Sequence, residues 1–354
     1  MTSPPGLPPF DAVLLLSFGG PEGPGDVMPF LENVTRGRGI PRERLEVVAA
    51  QYMLFGGKSP INGQCRELLA ALQAEFAARG PALPVYWGNR NWAPLLEDTV
   101  AQMAHDGIRR AVAIATSAYS SYSACRQYLE DIERARAAVG VSAPILEKIS
   151  PYWNEAGFLE TMTENTRVAL EACYAIDNGV CGDATRAGGS SEARLVFTAH
   201  SLPIPMADHC DYVAELTEAS ALVGAAAAPT LAWDLVWQSR SGPPQQPWLA
   251  PDVCDHLRAL RSEGICRVVL VPIGFVADHM EVVYDLDTQA RAVADSLGLT
   301  MTRAKCVGAA PRFVAGLRDL VVAHIGGERA PTVGTRGPRP SPCAPGCCPA
   351  PQRH

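Results

Sequence analysis

The sequence predicts an α/β protein made of two similar domains, each a parallel sheet flanked by helices on both faces, opposed across a cleft. Three observations predict it. Short uninterrupted apolar runs recur along the chain, longer helix-forming stretches separate them, and the alternation begins twice, once before about residue 150 and again from about residue 195. An apolar run without polar alternation suits a strand covered on both faces. Strands alternating with helices give parallel sheets.

The first strand is residues 11–17, DAVLLLS, stopped by Gly19, Gly20 and Pro21. Strands of the same kind follow at 83–88 (LPVYWG), 111–116 (AVAIAT), 195–198 (LVFT) and 268–273 (VVLVPI). Helices are expected over 65–79, 94–106, 123–138, 157–174, 211–227, 251–263 and 286–297. Residues 1–9 read as a flexible N-terminus, 10–150 as the first domain and 151–325 as the second, with a C-terminal segment free to pack back on the first. The small, polar and glycine-rich segment 177–192 is a loop. From residue 326 to 354 proline, glycine and arginine dominate, which predicts a tail that is mostly disordered.

Composition narrows the function. A net charge of −7 argues against a dedicated nucleic-acid binder, which needs a basic face to neutralise phosphates. No apolar run approaches the roughly 18–20 residues that span a bilayer, and the N-terminal apolar run has no basic stretch before it. A cytoplasmic protein is expected, with peripheral membrane contact left open. Eleven cysteines without a secretory signal make a disulfide framework the weaker explanation. Most of the scattered ones are expected as small buried hydrophobes, while Cys343, Cys347 and Cys348 are bunched in the tail.

In sheets of this class, functional groups sit just past the carboxyl ends of the strands. After LVFT comes Ala199-His200-Ser201, and after VVLVPI come Asp278, His279, Glu281 and Asp285. Asp278, Glu281 and Asp285 share a face if that segment is helical. An imidazole and a carboxylate converging from two strand ends can hold a borderline divalent metal such as ferrous iron. With only two protein ligands the grip is loose, which suits a protein that gives its metal away. A hydrogen-bonded structural histidine and a solvated acidic face are the alternatives.

Seven blocks occur in order: FDAVLLLSFGGPEGPGDVMPFLENVTRGRGIP, GGKSPINGQ, PVYWGNRNW, TSAYSSYSACRQY, VFTAHSLP, WDLVWQSRSGPPQQPWLAPDV and PIGFVADHMEVVYDLD. Over residues 10–320 the chain resembles the ferrochelatase family in its actinobacterial, coproporphyrin III form. The resemblance implies two Rossmann-like domains with four-stranded sheets, arranged as in periplasmic binding proteins, with porphyrin in the interdomain cleft. It implies a lyase that puts Fe2+, its substrate metal, into coproporphyrin III to give coprohaem. The activity would then rest on His200 and Glu281 as the catalytic and metal-handling pair, with Asp278 and Asp285 relaying protons or metal. Ser59 and Tyr128 fall on porphyrin-contacting positions. Arg36 and Arg38 suit propionates, because guanidinium pairs well with carboxylate, with solvated loop arginines as the alternative. Phe18 stands where some relatives have an axial tyrosine, and a phenyl ring can only pack on the macrocycle. Tyr52, Met53, Phe55, Tyr119, Tyr122, Trp237 and Phe275 lie near the blocks and suit either a flat ligand or the core.

Some members of the family carry a 2Fe–2S cluster on C-terminal cysteines plus one distant cysteine. By that resemblance Cys343, Cys347 and Cys348 are joined by Cys173, with Cys181 next in line, although the adjacent Cys347–Cys348 pair is unusual and a tail with incidental thiols is the alternative. A protoporphyrin IX ferrochelatase, a cobalt or nickel chelatase and a non-catalytic porphyrin carrier are the competing functions. A monomer with transient contacts to neighbouring haem-pathway enzymes is expected.

Overall fold

The computed structural model describes residues 8–176, 190–242, 245–344 and 346–350. Strands β1 (Ala12–Ser17), β2 (Val85–Asn89), β3 (Arg110–Ala115) and β4 (Ile145–Lys148) form a parallel sheet in the order β2-β1-β3-β4. Strands β5 (Ser190–His200), β6 (Trp233–Gln238), β7 (Ile265–Val271) and β8 (Thr300–Arg303) form a second one in the order β6-β5-β7-β8. The two halves therefore repeat one topology, as the doubled alternation predicts. β4, β6 and β8 are additions to the strands expected from sequence, and all three are sheet edges. β5 begins at Ser190, inside the segment expected to be loop.

Both faces of each sheet are covered. From β1, Ala12, Leu14 and Leu16 pack under helices α4 (Leu96–His105) and α5 (Gln127–Val139). Val13 and Leu15 point the other way, into a core that also takes Leu68, Leu72 and Phe76 of α3 (Ile61–Arg79). In β7, Val268 and Leu270 face one cluster, and Val269 and Val271 face the other. This is the period-2 geometry of a strand with no polar side.

The cluster holding Val13 and Leu15 runs on without a break through α6 (Ala156–Ala175) to Leu195, Phe197, Val269 and Val271 of the second sheet. The helix Pro311–Gly326 closes it, packing on α3 and α6. That packing needs glycines: a Cβ on Gly157 would meet the Arg312 carbonyl oxygen at 2.2 Å, and one on Gly316 would meet the Glu155 carboxyl at 2.3 Å.

Three expectations need correcting. The helix expected at 286–297 starts earlier, as Met280–Tyr284, and passes through a π-helical segment, Asp285–Ala290, before regaining α geometry at Arg291–Ser296. The tail, expected from residue 326, makes side-chain contacts with the body within its described residues 326–344 and 346–350: Arg339 reaches the buried Glu215, Thr335 and Arg336 bind Glu218, and the Pro340 carbonyl accepts from Ser150 Oγ at 2.5 Å. Proline and glycine enrichment does not preclude order where individual side chains find buried partners. Finally, Cys266 is disulfide-bonded rather than a free buried thiol. Among the described residues no helix is long and apolar enough to cross a membrane.

Candidate metal and porphyrin site

His200 is the last residue of β5 and lies in register with Gln238, the last residue of β6. Its Nδ1 is 2.5 Å from the Ser201 carbonyl oxygen, which can only accept, so Nδ1 carries a proton. The Tyr212 hydroxyl donates to the His200 carbonyl at 3.1 Å, fixing the backbone from behind. Nε2 then faces Glu281 Oε1 across 3.4 Å. A bare imidazole lone pair and a carboxylate oxygen repel at that distance, so the pair calls for a proton or a cation between them.

Glu281 comes from the short helix that follows β7, and His279 Nδ1 stands 3.7 Å from its other oxygen. Burial works against charge on Glu281, but the positive fields of His200 and His279 outweigh it and hold the carboxyl down at about 2. His200 is pushed above the ordinary imidazole value because Glu281, with help from Ser201 and Asp285, overcomes the opposing effect of burial. The site remains open: the His200 side chain is 29% exposed and that of Glu281 49%.

Asp285 opens the π-helical segment and accepts a hydrogen bond from Ser239 Oγ. Burial, aided by the Glu281 charge and opposed by that bond, pushes its carboxyl up to about 7. Asp278 does not join the group as expected. Arg303 Nη1 binds its carboxylate at 3.1 Å, and its backbone N–H donates to Gln64 Oε1 at 2.9 Å, so its charge is already paired.

The opposite wall comes from the first domain. Phe18, 37% exposed, meets Phe30 edge to face at 6.3 Å, and Phe30 meets Tyr52 and Trp92 in the same manner. Met280 packs into this apolar group, so the wall touches the helix that carries Glu281. Burial, with the Glu281 charge adding to it, pushes the Tyr52 hydroxyl above its ordinary value. Arg36 and Arg38 are exposed on the loop after the helix Pro24–Val34 and form no ion pair among the described residues.

Ser59 and Tyr128, expected to contact porphyrin, are 2% and 4% exposed. The Ser59 side chain packs against Gly20 and the start of α3, and Tyr128 lies under the Arg90 guanidinium at 3.8 Å. Tyr119, Trp237 and Phe275 are core residues, whereas Met53 and Phe55 are exposed. Gln238, Ser239 and Tyr212 escape a reading from sequence because they act through backbone groups or through a second side chain. For Gln238 and Ser239 the signal was position at a strand end; Tyr212, at the start of a helix, had none.

The tail cysteines assemble at a separate place. Cys347 and Cys348 have sulfurs 3.6 Å apart, and Cys343 lies 3.0 Å from Ser150 Oγ. The body cysteine beside them is Cys125, whose thiol is drawn below its ordinary value by a hydrogen bond with Cys348, against burial and helped by Lys148. Cys173 is not available to them. It is fully buried, its thiol pointing at the Val268 and Thr300 carbonyls of the second sheet. Cys181 lies outside the described residues. Among the described residues no three His, Cys, Asp or Glu side chains are gathered as for a single metal ion.

A ferrochelatase family profile matches residues 10–325. The coproporphyrin III ferrochelatase of Streptomyces coelicolor is 49% identical over 97% of this chain and 94% of that protein. That of Nocardia farcinica is 48% identical over 97% of each, and a ferrochelatase of Rhodopirellula baltica is 48% identical over 97% of this chain and 94% of that protein. Among solved structures, SirB from Bacillus subtilis with Fe3+ superposes with a TM-score of 0.52 at 12% identity, covering 90% of this chain and 98% of that one, a likeness of fold.

Proposed function

The chain belongs to the ferrochelatase family, and on that premise we propose that it inserts ferrous iron into coproporphyrin III in haem biosynthesis, releasing the two pyrrole protons. Kinship to several coproporphyrin III ferrochelatases over nearly the full length supports the substrate. The observation that carries the chemistry is His200 Nε2 facing Glu281 Oε1 at 3.4 Å in an open site.

A flat porphyrin keeps its four nitrogens in the ring plane with two still protonated, so a hydrated cation reaches them poorly. Binding energy from the ring edges offsets the strain of bending it. Phe18 on the first domain's wall gives the macrocycle an apolar face, and Arg36 and Arg38 are free to meet propionates. His200 and Glu281 hold a cation in place of their shared proton. Two ligands release it more readily than three or four would. As the cation passes to the pyrrole nitrogens it frees the His200 Nε2 lone pair to accept one pyrrole proton, and Asp285, whose carboxyl burial pushes up to about 7, takes up the other. Asp278, already paired with Arg303, has an electrostatic part at most.

A 2Fe–2S cluster belongs to the same proposal. It needs four thiolates, and Cys125, Cys343, Cys347 and Cys348 would be the ones to hold it, with Cys125 the thiol most ready to ionise. Cys125 replaces Cys173 as the fourth ligand. A cluster held there would supply electron-transfer or structural chemistry and enters none of the steps above.

Anaerobic incubation of the purified chain with ferrous, cobaltous or nickel salt and either coproporphyrin III or protoporphyrin IX tests the function. Ferrous iron with coproporphyrin III is expected to turn over fastest. Faster use of protoporphyrin IX or of cobalt, or porphyrin binding without metal insertion, would move the assignment to one of those activities.

A further inference from the structure

Gln238 stands at the end of β6, 1% exposed and in register with His200. Its backbone carbonyl accepts from the Ser201 N–H at 2.8 Å, which ties it to the residue after His200. Its side-chain Nε2 donates to the Glu281 backbone carbonyl at 2.8 Å. A carbonyl oxygen only accepts, so the amide has one orientation: nitrogen toward Glu281, oxygen away from it.

The helix itself explains the need for that donor. In a regular α-helix the N–H of residue 285 would go to the carbonyl of residue 281. Here it goes to the Val282 carbonyl instead, as the chain tightens before the π-helical segment. Gln238 supplies from another strand the hydrogen bond that Asp285 withdraws. Its own Oε1 is buried and has no donor among the described residues. An unpaired buried acceptor destabilises the fold, and an apolar side chain of the same length would avoid it. The amide is therefore not explained as filling.

We infer that Gln238 is a positioning residue for the metal pair, holding the Glu281 backbone in register with His200 so that the two side chains meet across one cation. The inference rests on the reading of His200 and Glu281 as that pair. Two full-length variants test it: Gln238→Met keeps the length and loses the amide, and Gln238→Glu keeps the shape and sets an acceptor against the Glu281 carbonyl. Each is compared with the parent by anaerobic iron insertion, porphyrin fluorescence quenching and thermal melting. Both variants are expected to bind coproporphyrin within about twofold of the parent and to lose about tenfold or more in kcat, with a raised KM for ferrous iron. Parent-like kcat in Gln238→Met overturns the inference. So does a fall in porphyrin affinity that accounts for the whole loss, because that marks a loosened cleft. A parent that inserts no iron defeats the underlying reading, whereas an active parent beside an unaffected Gln238→Met defeats this inference alone.

Discussion

At the scale of the residue, the site turns on which of its groups are charged. His200 is held above its ordinary 6.5 and Glu281 below its ordinary 4.5. A raised imidazole adds stability below its unfolded value and loses it as pH rises through the folded one. A depressed carboxylate adds stability above its unfolded value and loses it as pH falls through the folded one. The pair therefore supports the fold fully between about 4.5 and 6.5, and less on either side. Metal binding follows the opposite limb, since a ligating imidazole must be neutral. Iron insertion is expected to rise with pH through a value above 6.5. Glu281→Gln removes the charge that raises His200, so burial then dominates and the imidazole titrates at lower pH. NMR titration of the His200 ring checks the direction, and an unmoved or raised value would count against the pairing.

At the scale of the element, the tail governs two predictions. Arg339 binds Glu215, whose side chain is 1% exposed, and Asp211, while the Ser120 N–H donates to Glu215 at 2.7 Å. A tail residue thus neutralises an acid buried between the first-domain loop and the helix Tyr212–Ala227. Arg339→Ala leaves that acid short of its counter-charge and is expected to cost about 3 kcal/mol at neutral pH, read by urea unfolding. Burial already raises Glu215, so the deficit should shrink as the pH falls and the acid takes up a proton. Adding Glu215→Gln should recover most of it. If purified protein carries a visible iron–sulfur absorption band, Cys125→Ser or Cys347→Ser should abolish it and Cys173→Ser should leave it; the reverse pattern would return the fourth ligand to Cys173 on α6. These contacts were poorly legible in the sequence. β1 and β7 are plain from unbroken apolar runs, but β4 (ILEK), β6 (WDLVWQ) and β8 (TMTR) carry polar residues at half-buried edges and look like loop. Composition reads the tail as disordered because it cannot register one arginine finding one buried acid. Cys125 is hidden in another way: sequence offers several body cysteines, and only folding puts this one beside Cys348. His200 and Glu281 were legible because strand ends are where such groups belong, while the burial of Ser59 and Tyr128 depends on packing that motif blocks do not encode.

At the scale of the whole molecule, one apolar core runs from Val13 and Ile114 of the first sheet through Phe158 and Phe313 to Phe197 and Val271 of the second. The two sheets cannot be parted without exposing it. The described chain is expected to unfold in a single calorimetric transition, and residues 8–150 alone should show no cooperative melt. Two separated transitions would contradict the shared core. That rigid frame brings strand ends from the second sheet against the aromatic wall of the first, and the proposed chemistry depends on their meeting. The most direct test is His200→Ala in the full chain, assayed for anaerobic iron insertion into coproporphyrin III alongside porphyrin binding. The variant is expected to bind the porphyrin and insert no iron; insertion at the parent rate would contradict the assignment of the site.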